Sequence, residues 1–420
     1  MISVSLWREI FRLTINHKEN ETMSDSIVLV LNCGSSSVKG AVIDSKTGEV
    51  LFSCLGEKLN LPDAFITFKY QGEKEVEDLS AHPHHTGAIE AMLHALERHG
   101  LDKKIGAVGH RIVHGGEHFK ESTIVDEAVI DNIQKCITLA PLHNPAHLLG
   151  ISAARNVFHH IPHVVVFDTA FHQTMPDYAY TYAVPFELYK ETGLRRYGAH
   201  GTSVRYVSGE AARMLNRPAD KLALVVAHLG NGSSITAVKN GKVQDTSMGL
   251  TPLEGLVMGT RCGDIDASVF SFLHEQKGYD IGEITEILNK KSGLLGISGV
   301  SNDYRVVEES ADTGNRRAAL ALEVFAYRLA KYIAAMTVAT GHLDALVFTG
   351  GIGENSKTMR ASVLEKLGFL GLVVDDKLNA EMRFGKAGII TASQNPLAMV
   401  IPTNEELMIA QDAAKLAGLA

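Results

Sequence analysis

Two arginines of this chain sit among glycines: Arg111 in Gly109-His110-Arg111-Ile112-Val113-His114-Gly115-Gly116, and Arg261 in Gly259-Thr260-Arg261-Cys262-Gly263-Asp264. A guanidinium is a planar fork of donors suited to paired hydrogen bonds with carboxylate or phosphate oxygens. Flanking glycines would let a ligand approach the backbone. One such arginine is as well explained by a structural ion pair; two, in a chain with phosphate-type turns, favour an anion site. The turns are Asn32-Cys33-Gly34-Ser35-Ser36-Ser37, His228-Leu229-Gly230-Asn231-Gly232-Ser233-Ser234 and Thr349-Gly350-Gly351-Ile352-Gly353-Glu354-Asn355. Their small residues expose backbone N–H groups and add hydroxyl donors, as an anionic oxygen requires. A single turn of this kind is more often an ordinary hairpin; three argue for a phosphorylated ligand. No G-x-x-x-x-G-K-[ST] and no strand-to-helix G-x-G-x-x-G occurs, so hairpin turns are expected to hold the phosphates. Titratable candidates are Asp168, His200, Asp303, Glu354 and Glu405. Asp168 ends an apolar strand, where active-site groups collect in open α/β sheets. His200 is one of 19 histidines and alone reads as structural. Glu405, in the first turn of a helix, is equally explained by the helix dipole.

The elements that must position these residues come in two copies. The first reads strand 27–31, turn, strand 38–43, turn, strand 50–55. The second reads strand 222–229, turn, strand 235–238, Asn240-Gly241, strand 242–245, and Asn-Gly is a strong hairpin signal. Helical periodicity marks 88–99, 126–139, 146–158 and 317–340. Strands 163–167 and 343–348 run into Asp168 and the third turn. Residues 292–302 form a small-residue stretch before Asp303. Thr403-Asn404-Glu405-Glu406 reads as a capping box opening a terminal helix. Strands alternating with helices predict an α/β fold with partly parallel sheets.

At 420 residues the chain is too long for one ordinary core, so two domains are expected. A net charge of −8 without a basic block argues against a nucleic-acid surface. The four cysteines, Cys33, Cys54, Cys136 and Cys262, lack metal spacing and fit free thiols in a reducing cytoplasm. No apolar run approaches the roughly 20 residues that span a bilayer. Residues 1–22 stand apart as an upstream extension or flexible arm, with Met23 as an alternative start.

Taken together and in order, these motifs resemble the acetate kinase family from about residue 27 to the C-terminus. Ala140-Pro141-Leu142-His143-Asn144-Pro145, Phe167-Asp168-Thr169-Ala170-Phe171-His172, Asp245-Thr246-Ser247-Met248-Gly249 and Pro402-Thr403-Asn404-Glu405-Glu406 add to the match. The resemblance implies a duplicated actin-like (ribonuclease H-like) fold, with two domains around an ATP cleft. It divides the chain into domain I (23–170 plus 406–420) and nucleotide-binding domain II (171–405). It implies reversible phosphoryl transfer from ATP to acetate, giving acetyl phosphate and ADP. Arg111 and Arg261 would clamp carboxylate and phosphoryl group, His200 would stabilise equatorial oxygens, and Asp168 would be catalytic. Asn32 and Glu405 would position Mg²⁺, or Mn²⁺ in its place, largely through waters. Lys39, His228, Leu229, Gly230, Asn231 and Gly232 would contact ATP, as would Gly351, Ile352, Gly353, Glu354 and Asn355. Asp303, Tyr304 and Arg305 would lie along the adenosine. Val113, Leu142 and Pro252 would wall the methyl pocket. A cytoplasmic homodimer is the expected assembly, with no membrane or nucleic-acid partner.

The acceptor carboxylate, with a pKa of about 4 to 5, has no proton to lose at neutral pH. Asp168 is therefore expected to orient an arginine or a metal-bound water rather than act as a base. Cys262, Val204 and Gly40 depart from the family pattern. Arg261 beside Cys262 would lower its thiol pKa and sensitise it to oxidation, against a simpler reading as a neutral replacement. The rival readings are a propionate or butyrate kinase on the same scaffold and, in another class, a chaperone-type actin-like ATPase.

Overall fold

The computed structural model describes residues 26–141 and 143–419. The expectations for residues 1–22, Met23 and Leu142 lie outside the described residues. Eight strands form the first sheet: β1 (Ile27–Cys33), β2 (Val38–Asp44), β3 (Val50–Glu57), β4 (Phe65–Tyr70), β5 (Glu73–Asp78), β6 (Ala107–Ile112), β7 (Thr123–Ile124) and β8 (His163–Phe167). Their order is β5-β4-β3-β2-β1-β6-β8-β7. The second sheet contains β9 (Ala223–Leu229), β10 (Ser233–Lys239), β11 (Lys242–Thr246), β12 (Ala345–Thr349), β13 (Gly388–Ile389) and β14 (Leu397–Val400), ordered β11-β10-β9-β12-β14-β13.

The two sheets share one plan. β1 pairs antiparallel with β2 and parallel with β6, and β6 runs parallel to β8. β9 pairs antiparallel with β10 and parallel with β12, and β12 runs parallel to β14. So β3-β2-β1-β6-β8 reappears as β11-β10-β9-β12-β14, the duplicated ribonuclease H-like arrangement of actin-like ATPases. β1 and β9 are near-continuous apolar runs because both faces of each are covered. Helices His85–Arg98 and Asn144–Val157 cover one face of the first sheet, and the terminal helix Glu405–Leu416 covers the other. Helix Gly201–Met214 packs on one face of the second sheet and Arg316–Thr340 on the opposite face. Arg205 and Asp412, 2.5 Å apart, join helix Gly201–Met214 to the terminal helix, linking the two halves.

Several local expectations are corrected. The third glycine-rich turn is a strand-to-helix entry: β12 leads directly into helix Gly350–Asn355, because Gly350 adopts φ +75° and redirects the chain. The terminal helix is capped by Asn404, whose side chain accepts from Leu407 N at 3.0 Å, so Thr403 and Glu406 form no capping box. Their side chains are engaged elsewhere, Thr403 by Ser203 and Glu406 by Lys39. The strand expected at 343–348 is Ala345–Thr349. The helix expected at 126–139 stops at Lys135 and tightens into a 3₁₀ turn. The small-residue stretch before Asp303 contains a short helix, Gly293–Ser298.

Candidate active site

Arg111 lies near the end of β6 and Asp168 just beyond β8, on adjacent parallel strands. The same Asp168 oxygen, Oδ2, accepts from Arg111 Nη2 at 2.6 Å and Nε at 3.1 Å. Its other oxygen accepts from Thr202 Oγ1 at 3.2 Å. Asp168 is buried, while Arg111 keeps about a quarter of its side chain open (24 %). The charge of Asp168 holds the Arg111 guanidinium above its ordinary pKa. Glu405, in the first turn of the terminal helix, comes within 3.9 Å of Arg111 Nε. Burial and the neighbouring Asp168 charge push its carboxyl up to about 7. Asn32 is half-buried near the exit of β1, opposite Lys39.

Arg261 approaches from the second half. Its Nη1 donates to Pro252 O at 3.2 Å and touches Met258 Sδ at 3.8 Å. Among the described residues it forms no ion pair, and burial alone lowers its pKa. A methyl group at Gly232 would lie 3.4 Å from Arg261 Nη1 and 3.7 Å from His200 Nε2. The β9–β10 turn, the second arginine and the histidine therefore meet at one point. His200 is held there in a left-handed conformation, φ +61°, at the start of helix Gly201–Met214. Its ring stacks on His228 with centroids 4.2 Å apart, and its Nδ1 lies 3.0 Å from Ser234 Oγ. Burial, His228 and the two arginines push the His200 pKa well below 6.5, and burial pushes His228 down to about 4. Both rings are neutral at physiological pH.

A cavity of about 540 Å³ continues from this point and is lined by Gly230, Asn231, Asn302, Asp303, Tyr304, Arg305, Gly351, Ile352 and Asn355. A larger depression, about 780 Å³, lies between helices Glu127–Lys135 and Asn144–Val157 and holds none of the expected site residues. The nucleotide candidates divide. Tyr304 turns its ring into the core against Phe325, 5.4 Å away, so it forms a floor rather than a free contact. Asp303 and Arg305 pair with each other at 2.6 Å, and Asp303 caps its helix. Leu229 is buried in the second-half core and Gly353 is buried behind the turn. Lys39 is engaged by Glu406 outside this cavity. Glu354 faces backbone: its Oε1 accepts from Gly350 N at 2.9 Å and Thr403 N at 3.1 Å.

Glycines near the arginines mainly admit protein. A methyl group at Gly109 would meet Ile409 Cγ2 at 2.7 Å, and one at Gly263 would meet Gly255 O at 2.4 Å. The close approach inferred for a ligand is made by the terminal helix and by a neighbouring loop. Cys262 also departs from expectation: burial and Asp264 raise its thiol pKa, while Arg261 turns toward Pro252. Val113 and Pro252 are half-buried, Val113 following Arg111 at the exit of β6.

Sequence reasoning did not assign His143, Ser203 or Thr403. His143 lies in the field of Arg261, Arg111 and Asp168, and burial first, then the arginines, lowers its pKa. Its signal was its place beside Leu142. Ser203 Oγ lies 2.8 Å from His228 Nδ1 and 2.7 Å from Thr403 Oγ1. A chain of contacts thus runs from the stacked histidines through Ser203 and Thr403 to Glu354 and the third turn.

Two actin-like halves, with Arg261 beside the β9–β10 turn and Arg111 held by Asp168, define a phosphotransferase. The model of the Acetokinase family matches residues 27–411, and the chain belongs to that family. Acetate kinase 1 of Neisseria meningitidis serogroup A is 65% identical over 398 residues, covering 94% of this chain and 100% of that protein. Acetate kinase of Chromobacterium violaceum is 60% identical over 396 residues, covering 94% and 100%. Among solved structures, Porphyromonas gingivalis acetate kinase superposes with a TM-score of 0.89 at 47% identity, covering 93% of this chain and 99% of that one. A propionate kinase from Francisella tularensis gives 0.88 at 47%, covering 93% and 100%. No helix among the described residues is long and apolar enough to cross a membrane.

Proposed function

We propose that this chain is an acetate kinase, transferring the terminal phosphoryl group of ATP directly and reversibly to acetate. The observation that carries the reading is Arg261, a half-buried cation without an ion-pair partner among the described residues, facing His200 and the β9–β10 turn. A buried charge is costly unless an anion meets it, and a phosphoryl group supplies that anion. Phosphoryl transfer needs in-line positioning and charge neutralisation more than covalent help.

Arg111, aimed by Asp168, holds the acceptor carboxylate, and Arg261 holds the transferring group from the other side. In the tautomer that accepts from Ser234 Oγ, 3.0 Å from Nδ1, neutral His200 carries its proton on Nε2 and donates it in a hydrogen bond to an equatorial oxygen. Asp168 has both oxygens engaged by Arg111 and Thr202, which supports an orienting role over proton transfer. Asn32 and Glu405 would hold Mg²⁺, and their oxygen donors fit a hard cation that retains waters. The bound ion would neutralise charge on the phosphates. The β9–β10 turn and Gly351, Ile352 and Asn355 of the third turn take the nucleotide, whose adenosine occupies the cavity beside Asp303 and Arg305. Packing of the terminal helix on the first sheet supports the division into domain I (23–170 with 406–420) and domain II (171–405). Homodimeric assembly and a cytoplasmic site of action complete the reading by likeness to the family.

Incubation with ATP, Mg²⁺, acetate and hydroxylamine should yield acetyl hydroxamate. Failure to form a hydroxamate with any short acid would sink the kinase reading.

A further inference from the structure

One aromatic side chain at the mouth of the nucleotide cavity has no role in the scheme above. Phe384 is 80 % exposed, yet its backbone has φ +54°. A bulky L-residue adopts that conformation only where its surroundings enforce it, and such enforced strain gathers at ligand clamps. Asn355 Oδ1 accepts from Phe384 N at 3.0 Å, while Asn355 Nδ2 donates to Gly351 O at 3.0 Å. Arg360, fully buried, donates to Gly353 O at 2.8 Å, Asn379 O at 2.7 Å and Met382 O at 3.0 Å. Two side chains following β12 therefore bind the segment carrying Phe384 to the third glycine-rich turn. The Arg383 guanidinium lies 4.8 Å from the ring centroid, and both residues line the cavity with Asn302 and Ile352.

We propose that Phe384 is the base-stacking residue of the nucleotide site, an aromatic platform over which the purine lies while its phosphates reach the β9–β10 turn. This rests on the nucleotide reading given above. The backbone that carries this solvent-facing ring is tethered beside a cavity of nucleoside size. A flat π-face is the surface that such a ring recognises.

Phe384→Ala should raise KM for ATP about tenfold, as loss of one stacked base does, with little change in KM for acetate. Phe384→Tyr should restore it. Phe384→Gly should show the same KM defect but a higher Tm, because glycine accepts a positive φ without strain. The sequence contains one tryptophan, Trp7. In Phe384→Trp, ADP should therefore quench a new emission that inorganic pyrophosphate leaves unchanged. Equal response to ADP and pyrophosphate, or an unchanged KM for ATP in Phe384→Ala, would overturn the proposal while leaving the kinase reading intact. Wild-type protein that forms no acyl phosphate from any short acid would remove the foundation of both.

Discussion

At the level of single residues, the site is a problem of placing positive charge. Asp168 fixes the Arg111 fork by taking two of its nitrogens on one oxygen. Asp168→Asn should lower kcat about 10- to 100-fold, the loss expected when a charge-assisted contact is weakened. Its pH–rate profile should keep its shape, because the acceptor is already ionised; activity that returned at higher pH would instead assign Asp168 to proton transfer. Val113 follows Arg111 where β6 ends, and removing two methyl groups there should enlarge the space beside the acceptor. Val113→Ala should shift kcat/KM toward propionate by about 1–3 kcal/mol relative to acetate. Unchanged selectivity in a paired assay would remove Val113 from the pocket. Most of these positions were legible in the sequence because glycines and charged groups clustered in short motifs. The stack of His200 on His228 was not, since the contact depends on a left-handed residue opening one helix and the end of a distant strand.

At the level of elements, the repeated strand–turn–strand pattern was legible from alternating apolar runs and from Asn240-Gly241, both at positive φ in the β10–β11 hairpin. The exit of the third turn was not. Its glycines permit either a hairpin or a helix, and the choice is made by Gly350 packing against Leu229 and by Glu354 returning to the Gly350 N–H. The β4–β5 hairpin was also missed, because Glu73–Asp78 is exposed and carries little apolar signal. Glu354 joins that turn to the segment preceding Glu405 through Thr403 N. Glu354→Ala would leave two N–H groups unpaired, at about 1–3 kcal/mol each where water cannot replace the carboxylate. KM for ATP and the metal concentration for half-maximal rate should both rise. Glu354→Gln, which keeps an acceptor oxygen, should retain most activity; equal damage from Gln and Ala would show that charge, not the backbone clamp, matters.

Across the whole molecule, burial lowers the pKa of His110, His114, His143, His147, His163, His172, His200 and His228. The unfolded chain takes up these protons from about pH 6.5 downward, whereas the native state resists. Four of the eight, His114, His147, His172 and His228, stay neutral in the fold until about 4. Their stabilisation is present above pH 6.5 and is lost as pH falls toward 4, by up to about 1.4 kcal/mol per pH unit for each ring. Glu405, raised to about 7, and Asp245, raised by burial, act oppositely and favour the fold at low pH, but they are two groups against eight. The urea midpoint should therefore drop steeply between pH 6.5 and 5; a flat midpoint would contradict this balance. The seat of the terminal helix has a consequence for how the protein is made. Ile409, Ala410, Ala413 and Ala414 complete the packing over Val28, Val30, Ile43, Val164 and Val166. On the ribosome, the first half must wait with that greasy face uncovered until the second has been translated. A message cut short before this helix would yield a sticky, half-finished product, so quality control rather than catalysis would meet it first.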